Sequence, residues 1–141
     1  MTLVENPRKE FVLVVDSDCL RGRALLTRLR AIGYYVASFA RGEDALKFAA
    51  ENDPDAIVSE WSLSDMRGVE LARRAKMQSF ATKVILLSDQ ADWRALRETL
   101  ECGGEDVVSR SVSMEHLLSI LGRTPEAHRC SGFERSLVAS Q

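Results

Sequence analysis

The chain has 141 residues, 45% of them hydrophobic and 28% charged, and carries a formal net charge of −2. That length fits one domain burying roughly two thirds of its unfolded surface in a single core. The charges are interspersed without a basic block, and no apolar run reaches membrane-spanning length, so direct nucleic-acid binding and membrane insertion are not expected.

Met1 to Glu10 is polar and charged, an N-terminal extension rather than a signal peptide. Cys19, Cys102 and Cys130 are widely spaced and match no zinc or redox pattern, which reads as reduced packing thiols in a cytoplasmic protein. Phe11 to Val15 is a β-branched-rich run ending at Asp16, a first strand. Asp18 then caps a helix whose core face carries Ala24, Leu25, Leu29 and Ile32, and Gly33 closes it. Tyr35 to Phe39 reads as a second strand. A helix from Gly42 to about Glu51 turns Ala45, Leu46 and Ala49 inward, and Asn52-Asp53-Pro54 stops it.

The third strand begins with the continuous apolar run Ala56-Ile57-Val58 and ends at Glu60, followed at once by the turn residues Ser62-Leu63-Ser64-Asp65. Such a run suits a strand buried on both faces of a parallel sheet. A helix from about Met66 to Gln78 presents Val69, Ala72 and Ala75, and Lys83 to Leu87 is a fourth strand ending at Ser88-Asp89. Ala91 to Cys102 predicts a helix with Trp93, Leu96 and Leu100 at core spacing and Trp93 half-buried; Gly103-Gly104 ends it. Glu105 to Ser109 is a short fifth strand. A last helix, about Ser113 to Leu121, places Met114, Leu117, Leu118 and Leu121 on one face. Strands and helices alternate five times, which predicts a single doubly wound α/β domain over residues 11–122 with five parallel strands and five helices. The tail 123–141 is polar, with a short helix expected over Phe133 to Ala139.

In open parallel sheets, ligands and chemistry gather past the carboxyl ends of the strands. Those ends carry Asp16-Ser17, Glu60, Ser88 and Arg110. Together with Pro54-Asp55, Gly68-Val69-Glu70-Leu71 and Gly103-Gly104-Glu105-Asp106, this set resembles the CheY-like receiver domain of bacterial two-component response regulators over about Phe11 to Gly122. The resemblance implies a flavodoxin-like strand order 2-1-3-4-5. It also implies Mg²⁺ held by acidic residues after strand one, and a phosphoacceptor aspartate ending strand three. A Thr or Ser then follows the phosphate, and a Lys-Pro ends strand five.

The departures from that pattern carry the functional argument. Asp16, Ser17 and Ser62 take the metal positions, but Ser17 offers a neutral oxygen where a carboxylate is wanted, so Mg²⁺ binding should be weak. Glu60 stands at the acceptor position, and its extra methylene shifts the carboxylate by roughly 1 Å, enough to cost ~100-fold in rate. Ser88, Val107 and Arg110 hold the switch positions. Asp89, bulky and anionic, is expected to block room for phosphate. Arg110 exchanges a compact ammonium for a planar fork. Ser111 replaces the proline, and a trans bond is expected there because cis before serine costs about 3 kcal/mol.

These changes point to a pseudo-receiver: a phosphorylation-independent interaction module in two-component signalling, not an enzyme, with Arg110 and Ser88 engaging the fixed Glu60 charge. A working phosphoryl-accepting receiver is the alternative. A small flavodoxin-like enzyme or nucleotide binder is disfavoured because no glycine-rich loop follows strand one. Among further candidates, Trp61 either covers the pocket or packs under the loop that follows it, and His116 and His128 lack ligand-spaced companions. The resemblance places an output or dimer surface on helix four, strand five and helix five, here Trp93, Arg94, Arg97, Glu98, Glu105, Arg110 and Glu115. The partner it implies is a signalling protein (a kinase, effector or other regulator) or a second copy of the chain.

Overall fold

The computed structural model describes residues 10–111 and 113–122. Expectations for the first nine residues, Val112 and the tail from 123, with His128, Cys130 and the short helix over Phe133 to Ala139, lie outside the described residues. Five strands and five helices alternate: β1 Phe11–Val15, α1 Cys19–Ile32, β2 Tyr35–Phe39, α2 Gly42–Asn52, β3 Ala56–Glu60, α3 Gly68–Gln78, β4 Lys83–Ser88, α4 Trp93–Glu101, β5 Asp106–Ser109 and α5 Met114–Leu121. The strands pair in parallel in the order β2-β1-β3-β4-β5, the doubly wound arrangement expected from the sequence.

Because side chains alternate across a strand, each apolar run supplies two cores. Leu13, Val15, Ile57, Val84 and Leu86 point to the face covered by α2, α3 and α4. Val12, Val14, Val58, Ile85 and Val108 point to the face covered by α1 and α5. This two-sided burial is why β1, β3 and β4 read as unbroken apolar runs.

Three helix expectations are corrected. On α1, Ala24 is exposed; Gly22 and Leu29 are the buried positions, with Leu25 and Leu26 partly buried. On α4, Trp93 (65%), Leu96 (37%) and Leu100 (53%) are exposed, while Ala95 and Thr99 face the sheet. The turn after α4 folds back on the inward face: Gly104 N–H donates to Thr99 O at 2.9 Å, and a Cβ on Gly104 would lie 2.7 Å from Thr99 Cγ2. The third correction concerns helix starts. Helix α3 begins at Gly68 rather than Met66, because Ser62 bridges Arg67 and Leu63 N–H donates to Met66 O, holding the preceding loop closed. Helix α4 begins at Trp93 rather than Ala91, because the Asp92 carboxylate caps Ala95 N–H at 2.9 Å. Cys19, expected to pack, is exposed at the start of α1.

The β3–α3 loop also caps a helix distant in sequence. Arg41, at the cap position of α2, offers no side-chain bond, and Asp65 instead accepts from Gly42 N–H and Glu43 N–H, each at 2.9 Å. Partial burial pushes the Asp65 carboxyl upward, but the two amides outweigh it and leave its pKa below the ordinary value. A depressed folded pKa gives stability that is present above the unfolded value, ~4, and lost as pH falls through the folded value. Asp65→Ala is therefore expected to cost about 1–2 kcal/mol at pH 7 and less as pH falls below the unfolded value, read from urea midpoints; a loss that does not change with pH would contradict this role.

Candidate functional site

The parallel register brings the carboxyl ends of the strands level. Ser59 and Glu60 end β3 opposite Val15 and Leu87, and Ser88 ends β4 opposite Ser109. Asp16 and Arg110 are the residues immediately after β1 and β5. The four side chains thus line one edge of the sheet, with Asp16 and Glu60 on adjacent strands at its centre.

Glu60 is the most demanding member. It is 2% exposed, at the end of a strand buried throughout. A Cβ at position 68 would lie 2.5 Å from Glu60 O, so only glycine lets the start of α3 pass this close to the strand end. Burial pushes the Glu60 carboxyl above its usual range, the Arg110 hydrogen bond pulls it back, and the neighbouring Asp16 pushes the same way as burial. Arg110 Nη1 donates to Glu60 Oε2, and Arg110 Nε donates to Asp89 Oδ1 at 2.7 Å. The expected Glu60–Arg110 pairing is therefore present. The role expected of Asp89 is corrected: its side chain is 79% exposed and clasps the far side of the guanidinium, so it orients Arg110 from outside instead of filling the pocket.

Asp16 is 7% exposed and carries a partner that the sequence reading missed. Arg21, in the first turn of α1, donates from Nε to Asp16 Oδ2 and from Nη2 to Asp16 Oδ1, both at 3.2 Å. Its Nη2 also stands 3.6 Å from Glu60 Oε1. Asp18 caps α1 through Leu20 and Arg21 N–H, as expected, and its second oxygen lies 3.9 Å from Arg21 Nη1. A signal existed: an arginine three residues past a helix cap and five past a strand-end acid sits on the turn nearest the sheet edge. Spacing alone could not choose it over Arg23.

The remaining positions are occupied by local structure. The Ser17 hydroxyl donates to Ala40 O at 3.2 Å and accepts from Ser64 N–H at 2.9 Å, stapling three loops together. Ser88 Oγ accepts from Gln90 N–H at 3.0 Å and has no bond to Glu60, which corrects its expected role. Val107 is buried in the core beneath α2, α3 and α4. Trp61 is half-buried under the Arg67 guanidinium, 5.7 Å from its ring centroid, and Arg67 also forks onto Glu98 at 2.8 and 3.2 Å. Trp61, Ser62, Ser88, Asp89, Arg94 and Arg110 are among the residues lining a polar cleft of about 530 Å³ beside the site. The Arg110–Ser111 bond is trans.

On the expected interaction surface, Trp93, Arg94, Arg97 and Glu115 are exposed. Glu98 is held by Arg67. Glu105 is exposed as well, with its carboxylate engaged by Val84 N–H at 2.6 Å and Lys76 Nζ at 2.9 Å.

The Mg²⁺ that the resemblance implies does not fit these donors. Both Asp16 oxygens face Arg21, Ser17 Oγ is committed to two backbone groups, and Glu60 Oε2 accepts from Arg110. Glu60 Oε1 lacks a hydrogen bond, and a cation already stands beside it, Arg21 Nη2 at 3.6 Å.

The family model of the response regulator receiver domain matches residues 12–122. The chain is 32% identical over 111 residues to the transcriptional regulatory protein KdpE of Mycobacterium tuberculosis, covering 78% of this chain and 48% of that protein. It thus spans about half the length of such relatives. Among solved structures, the chemotaxis protein CheY4 of Vibrio cholerae superposes with a TM-score of 0.76 at 25% identity, covering 82% of this chain and 98% of that one. A Burkholderia pseudomallei response regulator, solved with a phosphorylated aspartic acid, calcium ion and citrate, shares the fold with a TM-score of 0.75 at 18% identity, covering 88% of this chain and 73% of that one.

Breaking the Glu60 pair from one side leaves a buried carboxylate without its main donor. Arg110→Ala is expected to cost about 2 kcal/mol in urea unfolding, and a second change, Glu60→Gln, should return part of it. Strictly additive losses would show that the two side chains are not coupled.

Proposed function

The chain belongs to the response regulator receiver domain family, and within it we propose a receiver that signals without phosphorylation, with Glu60 as a fixed charge at the acceptor position. The observation that carries this reading is the bridge Glu60–Arg110–Asp89, which ties the ends of β3, β4 and β5 through one guanidinium. Burial raises the Glu60 pKa and Arg110 opposes that shift, while the two guanidiniums facing the acid stay charged at any physiological pH. A carboxylate supplies −1 where a phosphoryl group supplies about −1.5 to −2 and three acceptor oxygens, so the likeness to a phosphorylated site is partial.

In this reading the domain acts by binding other proteins rather than by turnover. Arg110 holds the β4–α4 loop through Asp89, and Arg67 holds α4 to the β3–α3 loop through Glu98. The partner is another signalling protein, met through α4, or a second copy of the chain. The exposed stripe Trp93, Leu96 and Leu100, flanked by the Arg97–Glu101 pair, supports a second copy: apolar contact with both charge signs on one patch is self-complementary across a two-fold axis.

Incubation with acetyl phosphate and Mg²⁺, followed by intact-mass analysis, is expected to leave the chain unmodified; stable phosphoryl incorporation at Glu60 would overturn the proposed function. For the surface, light scattering should give a dimer mass for the wild type and a monomer mass after Trp93→Glu with Leu100→Glu. A monomeric wild type, or an unchanged mass in the variant, would remove α4 as the contact between copies.

A further inference from the structure

We infer that Arg21 is the resident cation of this site, and that it is the side chain which keeps divalent ions out. The inference rests on Glu60 standing at the acceptor position and concerns how that position is neutralised. Asp16 and Glu60 stand at the ends of adjacent strands at 7% and 2% exposure, and burying two acids side by side is costly without opposite charge to replace their hydration. In a metal-dependent site a divalent ion supplies that charge. Here the Arg21 guanidinium reaches both acids, forked onto both Asp16 oxygens at 3.2 Å and 3.6 Å from the orphaned Glu60 Oε1.

Among the described residues Asp16 and Glu60 are the buried acids, and each meets a guanidinium: Arg21 reaches both, and Arg110 bonds Glu60. The further acids Asp18 and Asp89 hold the same two arginines from the exposed side. A divalent ion entering this pocket would first have to displace Arg21. Since Arg21 is 49% exposed, it enters from the solvent side as a plug, held by helix α1 on a start fixed by the Asp18 cap. A guanidinium stays protonated at any physiological pH, so this neutralisation is permanent where that of a metal ion is reversible.

Two causes of poor metal binding can now be separated. If the missing carboxylate at Ser17 is the cause, restoring it restores the ion. If Arg21 is the cause, restoring the carboxylate does nothing while the arginine remains. The structure favours Arg21, because it is the side chain on both acids: Asp16 Oδ2 accepts from its Nε, Asp16 Oδ1 is shared between its Nη2 and the Asp18 N–H at 2.8 Å, and Glu60 Oε1 stands 3.6 Å from it.

The test measures Mn²⁺ binding by the electron paramagnetic resonance of free ion, with Mg²⁺ competition, on the whole chain without any phosphate donor. Arg21→Ala is expected to bind Mn²⁺ at least tenfold more tightly than the wild type and to gain melting temperature with added ion. Adding Asp16→Asn should abolish both gains, and Ser17→Asp alone should stay within threefold of the wild type. Arg21→Gln carries the same measurement if the alanine variant fails to fold. The inference falls if folded Arg21 variants show no gain, if the wild type binds as tightly as they do, or if Ser17→Asp alone restores binding. An acyl phosphate at Glu60 in the wild type would end the proposed function without deciding this comparison, which is read from metal alone.

Discussion

The constraint that organises this molecule is a carboxylate at the end of a strand with no access to water. Glu60 is 2% exposed, and an ion so placed is tolerated only when opposite charge and hydrogen bonds replace its hydration. The surrounding residues meet that demand in layers. Arg110 and Arg21 approach Glu60 from either side, and each is steered by a second acid, Asp89 for Arg110 and Asp16 for Arg21. Acid and guanidinium therefore alternate across the sheet edge from β1 through β3 to the β4–α4 loop and the end of β5. No single pair in that chain is independent of its neighbours. The buried acid is what gives the two exposed acids, Asp18 and Asp89, something to orient.

Much of this was readable from the residue order because two-sided burial leaves a plain mark. The apolar runs at Phe11, Ala56 and Lys83 located their strands, and the strand ends placed Asp16, Glu60, Ser88 and Arg110 on one edge. Where the reading slipped, a side chain had acted against its local pattern. Trp93, Leu96 and Leu100 have core spacing on α4, but the helix turns Ala95 and Thr99 inward, and spacing alone does not state which face of a short helix meets the sheet. Asp89 carries the charge that would repel phosphate, yet whether it enters the pocket or clasps Arg110 depends on a rotamer. Arg21 was passed over for a related reason. Helix α1 has several arginines, and which one reaches the edge is set by where Asp18 starts the helix.

The loops around the edge are tied to one another as well as to the site. Ser17 joins the loops after β1, β2 and β3; Asp65 reaches from the β3–α3 loop to the start of α2; Arg67 crosses from that loop to Glu98 on α4 and lies over Trp61. Each tie is weak when exposed to solvent, roughly 1 kcal/mol or less. Their effect lies in placement. The β3–α3 loop, through which the edge communicates with α4, is held at its beginning, middle and end.

Taken with the arginines, those ties bear on where information enters the domain. A phosphoryl group and a metal ion are reversible charges: they arrive, rearrange the donors around them, and leave. A guanidinium on the same chain supplies its charge for the life of the fold, and a carboxylate beside it has nothing to respond to. Under the proposed function, such a domain has no switchable input at the strand ends. Its control then falls to contact with other molecules, for which α4 exposes Trp93, Leu96 and Leu100. The small residues Ala95 and Thr99 on the inward face of α4 and the guanidiniums at the sheet edge thus bear on one proposal: the first leave an apolar stripe outward, and the second supply fixed charge where the proposed function needs no transient one.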